Sequence, residues 1–112
     1  MTEPQIGPPS VVTYTRAELL SPSFRALIEE ARELWRAGCE DFVRRVGDAG
    51  SCVLGAGIAV YVGTAERYER EVVLSPPTHH QGSLVWEDSV EAVVAFLKER
   101  GIEAFYTPGR MD

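Results

Sequence analysis

Apolar residues recur every three or four positions between residues 22 and 46, beginning Phe24, Leu27, Ile28, Ala31, Leu34, Trp35 and continuing through Cys39, Phe42, Val43 and Val46. That spacing gathers them on one face of a helix, with Glu29, Glu33, Arg36, Glu40 and Arg44 on the other. Ser21-Pro22 supplies an N-cap followed by a first-position proline, and Gly47 stands where a C-terminal cap belongs. At about 1.5 Å per residue the predicted helix is roughly 35 Å long, longer than an ordinary strand, so it should overhang a small sheet. Gly38 lies inside it at a cost of about 1 kcal/mol relative to alanine, which points to a kink or a closely crossing partner.

The pattern then changes. Residues 52–62 (CVLGAGIAVYV) form the longest apolar run and the best strand candidate, after a turn over 48–51. Gly63 to Glu66 reads as a hairpin loop returning through residues 68–75. Residues 76–82 make a second loop, and Leu84-Val85-Trp86 adds a short strand. Asp88 with Glu91 gives a capping-box-like start to a second helix whose face is Val90, Val93, Val94 and Leu97, ended by Gly101. Residues 102–107 form a last strand. Ahead of all this, residues 1–10 read as an irregular proline-rich leader, 11–14 as a strand and 16–20 as one helical turn.

The order β-α-β-β-α-β predicts one α+β domain over residues 11–112: an antiparallel sheet with two helices on one face, a ferredoxin-like sandwich. Such an architecture carries no function with it. One feature stands out. In the 52–62 run, Leu54, Ala56, Ile58, Val60 and Val62 point one way and Val53, Gly55, Gly57, Ala59 and Tyr61 the other, so neither face is polar. The small Gly55/Gly57/Ala59 face suits close approach of a helix, with Gly38 at the crossing. The Leu54, Ile58, Val60 and Val62 face then needs another cover. A second copy of the chain is the simplest, since two-fold dimers are the commonest assemblies. The leader or the helix overhang is the other option.

Composition narrows the partners. The 112 residues make one ordinary domain, and 45% hydrophobic against 25% charged residues is a globular balance, not a disordered one. A formal charge of -6 removes the electrostatic drive for nucleic acid and for anionic membranes, leaving a protein or small-molecule partner open. Lys98 is the only lysine and asparagine is absent, a mark of codon bias, so each arginine reads as a default cation. The leader lacks the apolar stretch of a signal peptide, and the 52–62 run is too short to cross a membrane. With two cysteines and no export signal, a cytoplasmic protein with reduced thiols is expected.

Candidate chemistry is sparse. His79-His80 are the only histidines, and adjacent side chains on an extended chain point apart, so both binding one metal is disfavoured. Cys52 follows Asp48 at the mouth of the central strand, and a histidine from the 78–82 loop reaching it would make a Cys/His site. Cys39, on the apolar helix face, reads as packing. Gly55-Ala56-Gly57 lacks the spacing of a phosphate loop. Carboxylates such as Glu66, Glu69 and Glu87 read as solvated edge charges, and Tyr61, Tyr68, Trp86, Phe105 and Tyr106 as core or rim. No metal or cofactor is expected. The chain therefore reads as a small acidic binding protein, a homodimer or assembly subunit; the alternative is a Cys/His enzyme or metal module using Cys52, His79, His80 and Asp48.

Overall fold

Short capping signals divide the helical half of the chain. The computed structural model describes residues 11–111; the leader expected over 1–10 lies outside the described residues. After strand β1 (Thr13–Tyr14), Thr15 and Glu18 form a reciprocal capping box that starts the short helix α1 (Arg16–Leu20). Ser21 ends α1 and caps α2 (Pro22–Arg45), its hydroxyl accepting from the Phe24 N–H at 3.3 Å.

The predicted central strand is two strands. β2 (Val53–Leu54) and β3 (Gly57–Gly63) are separated at Gly55, whose φ of +80° suits glycine and turns the chain. β2 pairs with β6 (Arg110–Met111) as a separate antiparallel ribbon. β4 (Tyr68–Leu74) returns antiparallel along β3, with a register shift at Ile58/Ala59. α3 (Ser83–Glu99) starts earlier than Asp88, absorbing Leu84-Val85-Trp86, which the sequence assigns to a strand. A three-residue apolar run cannot separate the two periods. Asp88 lies inside the helix instead and pairs with Arg45 of α2 at 3.2 Å.

The sheet is mixed, correcting the expected all-antiparallel one. β1 runs parallel to β3, with Thr13 opposite Tyr61 and Tyr14 opposite Val62. β5 (Phe105–Thr107) runs antiparallel to the start of β3, with Phe105 opposite Ala59. β4 occupies one edge of β3, so β1 and β5 share the other, end to end. These pairings do not confirm the ferredoxin-like order. What stands is a small α+β domain with three helices and a mixed sheet.

The helices pack on the face of β3 that carries its large aliphatics. Ile58 and Val60 are fully buried with Trp35, Cys39, Val85 and Leu97 in one core. The Trp35 indole N–H, also buried, donates to the Trp86 carbonyl at 2.9 Å and joins α2 to α3. Gly38 does mark a close crossing, but of α2 over α3: a methyl there would run into the Ser89 side chain. No helix among the described residues is long and apolar enough to cross a membrane.

Candidate functional site

The 75–82 loop does reach the start of the central strands, held by backbone. Cys52 and Gly82 form an isolated antiparallel bridge, the Ser83 N–H donates to the Ser51 carbonyl at 3.1 Å, and the Leu84 N–H donates to the Ala49 carbonyl at 3.1 Å. Asp48 completes the docking. Its Oδ1 accepts from the Gly82 N–H at 2.8 Å, and its Oδ2 lies 3.4 Å from His80 Nδ1. Gly82 is the N-cap of α3 and has no side chain to offer, so the Ser51 and Ala49 carbonyls take the first free N–H groups of the helix, at Ser83 and Leu84, while the Asp48 carboxylate takes the N–H of Gly82 itself. That bond above all, then His80, holds the Asp48 carboxyl below its usual range. A side chain at Gly82 would collide with the Ala49 carbonyl and the Asp48 carboxylate.

Of the four residues singled out for chemistry, Asp48 and His80 pair, His79 lies beside His80, and Cys52 is tied to the loop through its backbone bridge to Gly82. His80 is half-buried, its carbonyl accepting from the Trp86 indole N–H at 3.0 Å, and its ring lies 4.2 Å from that of His79. Cys52 is exposed, and its thiol donates not to a histidine but to Gln81 Oε1 at 3.3 Å. Gln81 was not legible as a partner, because only the docked loop brings it there. Cys39 is free and buried, and burial, with Asp88 adding to it, pushes its thiol up to about 11. Among the described residues no three His, Cys, Asp or Glu side chains gather as a metal would require.

A second arrangement concerns the other face of the sheet. Directly opposed residues share a face, so Ala59, Tyr61, Arg70, Val72 and Phe105 lie together. Tyr61 sits 4.7 Å from Phe105 and 4.9 Å from Tyr68, ring centre to ring centre. Ala59 is fully buried, yet none of these residues belongs to the core that the helices share, so no helix among the described residues covers this face. Tyr68 and Val72 remain about 40% and 39% exposed.

No family model, curated protein or solved structure matches this chain.

Of the expected interface residues Leu54, Ile58, Val60 and Val62, the single chain leaves only Leu54 exposed. Ile58 and Val60 have no exposed surface in the single chain, Val62 is half-buried against the same core, and Leu54 has left the strand for β2. The physical reason is volume: large aliphatics fill the helix–sheet layer, whereas alanine and glycine leave room for neighbouring rings to close over them. The parity split was visible in the sequence, but the helices take the large-residue half and not the Gly55/Gly57/Ala59 half expected for them.

Proposed function

We propose that this chain works by binding: a small acidic α+β interaction protein, acting as a homodimer or assembly subunit, whose contact surface is the uncovered sheet face. The observation that carries this reading is the Tyr61, Tyr68 and Phe105 cluster on that face. Tyrosines and other rigid rings gain contact area at low entropic cost and are enriched at the centres of interfaces. A second copy seated face to face would bury the three rings about a two-fold axis. The charge of -6 supports a protein rather than a nucleic acid or an anionic membrane, and a cytoplasmic site of action fits two free thiols. Light scattering and native mass spectrometry test it. Wild type is expected as a dimer, and Tyr61→Lys and the milder Tyr68→Lys as folded monomers with unchanged circular dichroism. A wild type that stays monomeric at micromolar concentration, or variants that remain dimeric, ends the reading.

The second reading, a thiol-dependent site, has one observation behind it. Asp48 lies on the Nδ1 side of His80, so Nε2, without a hydrogen-bond partner among the described residues, is on the side a general base would use. Against it stands the Cys52 thiol, turned to Gln81. Under the binding reading, iodoacetamide labels Cys52 at the rate of an ordinary exposed thiol, unchanged in His80→Ala, and spares Cys39. Labelling of Cys52 that is fast at neutral pH and slowed about tenfold by His80→Ala reverses the order of the two readings.

A further inference from the structure

β4 is the last strand on its side of the sheet, and among the described residues nothing pairs with its far edge. A cleft of about 360 Å³ runs beside that edge, on the helix side. Its walls are Leu19 and Leu20 of α1, Phe24 and Ile28 of α2, and Val73 of β4, with Arg16, Arg25, Glu29 and Glu71 around the mouth. Leu20 is 69% exposed there. α2 packs over β4, and a further strand would lie about 4.8 Å beyond it, next to this cleft. We infer that this edge and cleft form a docking site for an extended segment of another protein, which adds to β4 as a strand, sets apolar side chains under α1 and α2, and brings a basic residue to Glu69.

The occupant follows from three properties of the site. Unpaired strand N–H and C=O groups are satisfied by another extended backbone, and an adjoining apolar cleft selects alternate side chains. The helix-side row of β4 reads Glu69, Glu71, Val73. Glu71 is held by Arg16 at 2.7 Å, whereas Glu69 and Glu29 make no salt bridge among the described residues, so a basic residue opposite Glu69 complements the charge. A second copy of this chain fits poorly. Antiparallel self-pairing about Arg70 sets Glu69 against Glu71 and arginine against arginine, and pairing about Glu71 sets that residue against itself. Both copies would also bring their α1–α2 roof to the same side of the joint. This surface is separate from the Tyr61 face and does not depend on it.

The probe is a blocked peptide, Thr-Lys-Thr-Val-Thr-Val-Thr, matched to the 7 residues of β4 and titrated into the isotope-labelled full chain by NMR. The control has the same residues with the valines adjacent. Saturable shifts are expected in β4, α1 and the start of α2, weakened about tenfold by Leu20→Asp and by Glu69→Lys. Both positions are exposed, so both variants should stay folded, which circular dichroism checks. Three results overturn the inference: no saturable shift at β4, equal binding of the control peptide, or binding unchanged in both variants. A free protein whose β4 amides are already protected in a concentration-dependent way assigns the edge to a second copy and overturns it too.

Discussion

At the scale of single residues, Asp48 does more than its exposure suggests. It docks the 75–82 loop by accepting from the Gly82 N–H just ahead of α3. Gly82→Ala should cost about 2 kcal/mol, read from urea unfolding, since the added methyl meets the Ala49 carbonyl and the Asp48 carboxylate at once. The role of Asp48 also has a pH signature. Its carboxyl is held below the ordinary range in the folded chain, so its contribution is present at neutral pH and is lost as pH falls through the folded value. The stability gap between wild type and Asp48→Ala should accordingly narrow below about pH 4, the ordinary carboxylate range. The sequence offers Cys52, His79, His80 and Asp48 as a group; the structure pairs Asp48 with His80 and turns the Cys52 thiol to Gln81. Their purpose was not legible, because a carboxylate that orients a base and one that docks a loop are the same residue until its partners are known.

Among elements, the tightest joint is the crossing of α2 over α3. Alanine is a better helix former than glycine by about 1 kcal/mol, yet Gly38→Ala should destabilise the protein by roughly 2 kcal/mol, because the methyl would enter the Ser89 side chain. Thermal unfolding reads the sign directly. Ser89 has a further oddity: its hydroxyl is buried with no hydrogen-bond partner among the described residues. Ser89→Ala removes that orphan and should raise stability by about 1 kcal/mol. The helices were the most legible elements, since twenty or so residues of unbroken period leave little choice. The start of α3 and the break at Gly55 were not legible. Each depends on a contact made far along the chain: loop docking at Asp48 in one case, and the pairing of β2 with β6 in the other.

For the molecule as a whole, the charge of -6 and two raised acids set the alkaline limit. Burial lifts the Cys39 thiol to about 11, and burial with the Glu87 carboxylate, 3.2 Å from the Tyr106 hydroxyl, lifts that phenol to about 12. Raised folded values mean that both contributions are complete below the unfolded values and drain away as pH climbs through the folded ones. Stability should therefore fall from about pH 9 upward, and Cys39→Ala should delay the onset, as denaturant midpoints across the alkaline range would show. The parallel pairing of β1 was beyond the sequence, since a two-residue strand has too few side chains to declare its neighbour. That pairing matters for the order of assembly. β1 and β5 lie at opposite ends of the described chain, yet they fill consecutive stretches of one edge of β3. A ribosome emitting this protein can release the β3–β4 hairpin early, but that edge stays half bare until residue 107 has cleared the exit tunnel. The nascent chain must wait with an unpaired strand edge in hand, and it stays open to sticking to a neighbour until β5 arrives.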